Sequence, residues 1–189
     1  MDMRNLLAIL IMASLLLTGC GEDRTEKSTY TREVRVGSPA PLFTYPDMDG
    51  EPFRLENERG RVVVLFFWRY RCKECREMFP SLKRLKTLYE GKPLTIITID
   101  EDTIHSGSIY TITNFFKENG YTFRVLRDDG AYLAGLYKTL WTPTVVVIDR
   151  GGTIAFLSAK EKLDFTAPSF RSIIDRLLSD RTPQQKALP

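Results

Sequence analysis

Between positions 36 and 179, unbroken apolar runs alternate with segments whose apolar residues recur every three or four positions. The run at 62–68, Val-Val-Val-Leu-Phe-Phe-Trp, contains no polar residue and is β-branched at its start. Such a run predicts a strand buried on both faces, at the centre of a sheet. Residues 94–100, Leu-Thr-Ile-Ile-Thr-Ile-Asp, predict a second buried strand, and 123–126 and 144–149 predict two more. Arg150-Gly151-Gly152 then turns the chain into a hairpin partner at 153–157. Near the start, Asp49-Gly50 separates 42–45 from 52–55, a hairpin turn signal. Leu82, Leu85 and Tyr89 lie at helical spacing, in a helix that Pro80 should kink. A second helix is expected over 108–119, with Ile109, Ile112, Phe115 and Phe116 inward and Gly120 as its stop. A short helix at 131–137 follows, and Phe170, Ile173, Ile174, Leu177 and Leu178 mark a last amphipathic helix. Strands alternating with helices, then a terminal hairpin and helix, predict an α/β fold with a mixed sheet.

The two ends read differently from this domain. Residues 6–17 are almost wholly apolar, too few for a bilayer span of about 20 residues but suited to the core of a signal peptide. Leu17-Thr18-Gly19-Cys20 follows, small residues before a cysteine. It resembles the bacterial lipobox, which makes 1–19 a lipoprotein signal peptide and Cys20 a lipidated N-terminus. The basic start is weak, because Asp2 offsets Arg4. Residues 20–35 are polar and charged with no apolar period, a flexible tether. Residues 36–179 form one domain, and 180–189 a polar tail.

Composition is that of an ordinary globular chain, 43% hydrophobic and 27% charged. The formal net charge of +3 is too small to argue for nucleic acid. The chain has three cysteines. With Cys20 lipidated, Cys72 and Cys75 remain as a pair, and an exported location suits disulfide chemistry.

Cys72-Lys73-Glu74-Cys75 sits between the central strand and the first helix. A Cys-x-x-Cys pair there can close a small disulfide ring. The first cysteine lies where helix N–H groups converge, which favours its thiolate, the attacking species in disulfide exchange. A second cysteine three residues on can resolve the mixed disulfide. A structural bridge across so few residues would remove little chain entropy. Zinc needs four ligands, and the chain offers no second Cys or His pair; His105 is its only histidine, and reads as a loop residue. No metal site is expected.

These motifs together resemble the thioredoxin superfamily, and within it the membrane-anchored TlpA/ResA-like thiol–disulfide oxidoreductases. Gly37-Ser38-Pro39-Ala40-Pro41 and the hairpin after it are similar to that group's N-terminal extension. Phe67-Trp68 before the Cys pair is similar to its active-site strand, and 100–125 to its inserted helix and strand. Thr142-Pro143-Thr144 before an apolar run is similar to its cis-proline strand. The resemblance implies a central mixed β-sheet flanked by helices, with an N-terminal β-hairpin extension and an inserted helix–strand. It implies a cis Thr142-Pro143 bond facing the Cys pair, and Thr142, Pro143 and Trp68 as substrate-positioning residues. The function it implies is reduction of disulfides in exported proteins, apocytochrome c among them. Cys72 would be the nucleophile and Cys75 the resolving thiol, with no cofactor beyond their disulfide. Electrons would come from a membrane thiol reductant, and the protein would act as a lipid-anchored, extracytoplasmic monomer.

The chain departs from the family pattern at several positions. Arg71 stands where Trp usually precedes the first cysteine, and Phe66 where thioredoxin has a buried Asp. Met78 takes the place of a Glu found in some relatives. Arg71 and Lys73 favour a Cys72 thiolate, whereas Glu74 and Glu77 oppose it. Two alternatives stay open on the same fold, a copper-handling protein and a disulfide oxidase or isomerase. A metal assay separates the first and the redox potential the second.

Overall fold

The computed structural model describes residues 34–103 and 108–180. The signal peptide, Cys20, most of the tether, His105 and the tail beyond residue 180 lie outside the described residues. No helix among the described residues is long and apolar enough to cross a membrane.

Among the described residues, seven strands and four helices follow in order. Strands β1 (Thr44–Pro46) and β2 (Pro52–Arg54) form a two-stranded antiparallel hairpin, and a 3-10 turn (Leu55–Glu58) leads on. Then come β3 (Val62–Trp68), α1 (Lys73–Leu88), β4 (Leu94–Asp100), α2 (Ile109–Asn119), β5 (Arg124–Arg127), α3 (Tyr132–Tyr137), β6 (Thr144–Ile148), β7 (Ile154–Ala159) and α4 (Pro168–Ser179). The main sheet has the order β5-β4-β3-β6-β7. β4 runs parallel to β3 and to β5, while β6 is antiparallel to β3 and to β7. The mixed sheet is the one the alternation of elements predicts.

β3 is central, and every one of its residues is buried. Its period of two divides it between two cores. Val62, Val64, Phe66 and Trp68 face α1, α2 and α4, through Phe79, Leu82, Ile112, Phe116, Phe170 and Ile174 among others. Val63, Leu65 and Phe67 face the opposite layer, built from Phe43 and Phe53 of the hairpin region, Leu55, and Leu133 and Tyr137 of α3. Such double burial explains why the run lacks polar residues. Phe79 is the hub of the first core. Its ring lies 4.7 Å from Trp68 and 5.2–5.4 Å from Phe66, Phe115, Phe116 and Tyr121.

The helix ends follow local chemistry. Ser108 caps α2 by accepting the Thr111 N–H at 3.1 Å, and Gly120 closes it in the left-handed region at φ 61°. The buried stripe of α2 begins only at Ile112. Ile109, expected to face inward, is 57% exposed, because its turn precedes the contact with the aromatic cluster. α1 runs on through Pro80, which lies on the exposed side, where water can satisfy the carbonyl its ring leaves without a donor.

The N-terminal segment crosses from one sheet edge to the other. The Gly37 N–H donates to Ile154 O at 2.8 Å and the Ile154 N–H to Ser38 O at 2.9 Å, along β7. Further on, the Met48 N–H donates to Val125 O at 3.0 Å, along β5. The Asp47 carboxylate holds Arg124 Nε of β5 at 2.7 Å.

Candidate active site

The carboxyl end of β3 delivers the chain into the Cys loop. The loop is tied down before the first cysteine is reached. Trp68 O accepts the Glu101 N–H at 2.9 Å, and the Tyr70 N–H donates to the Asp102 carboxylate. Arg76 donates to Tyr70 O and stacks its guanidinium 5.2 Å from the Tyr70 ring. The Cys72 N–H donates to Arg69 O at 3.1 Å, closing the turn that starts α1.

Cys72 is the N-cap of α1, and its sulfur accepts the Cys75 N–H at 3.1 Å. A helix N-terminus offers unpaired N–H groups and a partial positive charge, so this position favours sulfur as an anion when the pair is reduced. Here the two cysteines form a disulfide. Their burial differs: Cys72 is partly exposed, whereas Cys75 is 0% exposed in the first core. An incoming disulfide can therefore reach one sulfur and not the other.

The four charges expected to tune the thiolate do not act alike. Arg71 is exposed. Lys73 pairs with Glu77 at 3.7 Å, and Lys162 bonds Glu77 at 2.5 Å. The Lys162 hydrogen bond and charge hold the Glu77 carboxyl below its usual range, with Lys73 adding to this. Glu77 is thus occupied by two lysines, and Glu74 is the carboxylate nearest the reacting atom, with Oε2 4.0 Å from Cys72 Sγ. Phe66 packs against Phe79 and Phe165, so that position carries no acid beneath the pair.

Thr142-Pro143 is cis. Thr144 pairs with Phe67 in the antiparallel register of β6 and β3, which puts Pro143 beside the end of β3 where the Cys loop leaves. The Lys160 N–H donates to Pro143 O at 2.9 Å. Trp68, expected to position substrate, is 0% exposed and packed among Phe79, Phe115 and Phe116. It supports the loop from beneath and cannot touch a client. The exposed aromatic at this place is Trp141, 54% exposed, with Lys160 Nζ 3.5 Å from its ring centre and Leu140, 82% exposed, beside it.

Sequence reasoning also passed over the carboxyl end of β4. Asp100, Glu101 and Asp102 are buried, at 0, 5 and 1% exposure. Burial and the Asp102 charge push the Asp100 carboxyl up to about 8 despite Arg127 at 3.5 Å, and burial raises Glu101. Three acids at the carboxyl end of a buried parallel strand were the available signal, since sites of open α/β sheets gather there.

A cysteine pair at the start of a helix, beside a cis-proline that opens the neighbouring antiparallel strand, on this five-stranded sheet, defines a thioredoxin-fold protein with a Cys-x-x-Cys site. The chain belongs to the AhpC/TSA family, whose model matches residues 36–157. Among curated proteins it is similar to the thiol-disulfide oxidoreductase ResA of Bacillus thuringiensis subsp. konkukian, 28% identical over 153 residues, 80% of this chain and 86% of the relative. ResA of Bacillus cereus strain ZK / E33L is 30% identical over 122 residues, 65% of this chain and 68% of the relative. Among solved structures, a Chlorobium tepidum protein proposed to be the thiol:disulfide interchange protein DsbE shares the fold. Its TM-score is 0.68 at 24% identity, over 77% of this chain and 99% of that one.

Proposed function

We propose that this protein is a thiol–disulfide oxidoreductase that reduces disulfides in exported client proteins. The observation that carries the reading is the Cys72–Cys75 disulfide at the N-cap of α1, with one sulfur accessible and the other buried. The ResA relatives, named as thiol-disulfide oxidoreductases, support it.

In the reduced form the Cys72 thiolate attacks one sulfur of a client disulfide. A Cys72–client bond forms, and the client's other sulfur leaves as a thiolate. The Cys75 N–H, 3.1 Å from Cys72 Sγ, stabilises the nucleophile before attack. Cys75 then gives up its proton and attacks Cys72 Sγ. The Cys72–Cys75 disulfide forms, and the second client thiolate is released. The client gains two electrons and the protein loses two. A membrane dithiol that is itself oxidised returns the pair to the reduced state. Near Thr142 and Pro143, the chain entering β6 offers backbone groups to a client segment lying alongside Cys72.

In this reading Cys20 carries a lipid and the domain works outside the cytoplasm, with apocytochrome c among the clients. Domain polarity supports a membrane-held role. The N-terminal entry pairs with Ile154, at the Val63 end of the sheet, whereas the Cys loop leaves from Trp68. Five strand residues at about 3.3 Å each separate these ends by about 17 Å.

The test is trapping. Cys75→Ser should accumulate mixed disulfides with clients, seen as high-mass adducts on gels without reductant that collapse when reductant is added. Cys72→Ser should form few. Equal trapping by the two variants refutes the assignment.

A further inference from the structure

At the carboxyl end of β4, Glu101 reaches both loops of the site. Its N–H donates to Trp68 O at 2.9 Å. Its Oε2 lies 3.3 Å from Arg69 Nη2, on the approach to Cys72. Its Oε1 accepts the Thr139 hydroxyl at 2.7 Å, on the approach to Pro143. The carboxylate is 5% exposed, and its other charged neighbour is Asp128, which caps α3 through the Leu133 and Ala134 N–H groups.

Thr139 begins a loop held at both ends. Before it, Lys138 turns through the left-handed region at φ 52°, and the Thr139 N–H donates to Ala134 O at 2.9 Å. At the far end the Thr144 hydroxyl donates to Trp141 O at 2.6 Å. Between these ties stand the exposed Leu140 and Trp141 and the Thr142-Pro143 pair. Burying a carboxylate is costly, and breaking a buried pair by removing one partner leaves an uncompensated group. Glu101 offsets part of that cost by giving one oxygen to each loop.

We propose that Glu101 is a positioning residue, a strut that sets the spacing between the Cys loop and the cis-proline loop and so fixes how a client is held against Cys72. The inference rests on reading the site as a protein-disulfide reductase. Glu101 acts through Arg69 and Thr139, and its effect falls on client binding more than on the sulfur chemistry.

The test is reduction of insulin disulfides by the full chain with dithiothreitol as electron source, comparing KM with kcat. Glu101→Ala should raise KM for insulin at least threefold and lower kcat less than twofold. Thr139→Val removes the hydroxyl at a less buried site and should raise KM in the same way, which keeps the test open if Glu101→Ala fails to fold. The double variant should show no more than the larger single effect, because both changes cut one connection. Glu101→Gln keeps an acceptor for Thr139 and should bring KM back within twofold of wild type. A fall in kcat with KM unmoved, or additive effects of the two substitutions, overturns the strut. A wild type that cannot reduce insulin overturns the reductase reading and this inference with it. A competent wild type whose Glu101→Ala and Thr139→Val forms keep KM within twofold overturns the strut alone.

Discussion

Asp100 offers a stability test with a definite sign. It lies opposite Trp68 in the β3–β4 register, is 0% exposed, and holds its proton up to about pH 8. Burial is the main cause and the Asp102 charge the next; the Asp102 N–H at 3.2 Å and Arg127 at 3.5 Å oppose them. In the unfolded chain an aspartate releases its proton near pH 3.9. Between these values the folded protein binds one proton more than the unfolded chain. The stability this group contributes is therefore complete below about pH 4 and is lost as pH rises through about 8. The slope is about 1.4 kcal/mol per pH unit, or about 3 kcal/mol from pH 5 to pH 7. Asp100→Asn removes the titration while keeping the shape of the protonated acid. The variant should match wild type at or below about pH 4 and gain on it steadily from there towards pH 8. Urea titrations of both oxidised proteins at pH 5, 6, 7 and 8, extrapolated to water, give the difference directly. Glu101 is raised in both proteins and cancels. Parallel stability curves would falsify the argument, since they would mean that Arg127 keeps Asp100 ionised throughout.

Other substitutions probe packing and backbone. Phe79→Ala empties the hub of the aromatic core and should cost about 3–5 kcal/mol in urea unfolding. Gly152→Ala should cost about 1 kcal/mol or more, read as a lowered melting temperature, because φ is +84° and a Cβ there would collide with the Arg59 guanidinium. Tyr89→Phe removes a hydroxyl that donates to Asp175 at 2.6 Å, joining α1 to α4, and should cost about 1 kcal/mol by the same unfolding assay.

What the sequence made legible follows burial. The residues of β3 had to be apolar on both faces, so its place at the sheet centre could be read from seven letters. The Cys pair could be read because its spacing and place at a helix start are local properties. Ile109 misled, because a helical stripe specifies a face but not how far the neighbouring core extends along it. Trp68 misled for the opposite reason. Nothing in the order of residues says whether an aromatic at a strand's end points into the core or towards a client. Glu101 is not legible as a site residue from the sequence, since its partners Arg69 and Thr139 lie 32 and 38 positions away. Trp141 gained its meaning only from the register of β6 against β3.

The N-terminal crossing segment has a consequence for solubility. A sheet's outer strands expose unpaired N–H and C=O groups, ready templates for another chain to extend. Here residues 37–40 occupy the start of β7, and Asp47 and Met48 occupy β5. The same short stretch of chain therefore blunts both borders of the sheet. A version beginning after Met48 would keep Cys72, Cys75, the cis-proline and all five strands of the main sheet. It would nonetheless expose two adhesive borders, one beside β7 and one beside β5, and copies could join there into fibrils. Residues remote from the sulfur chemistry would then decide whether the catalyst stays a dispersed particle.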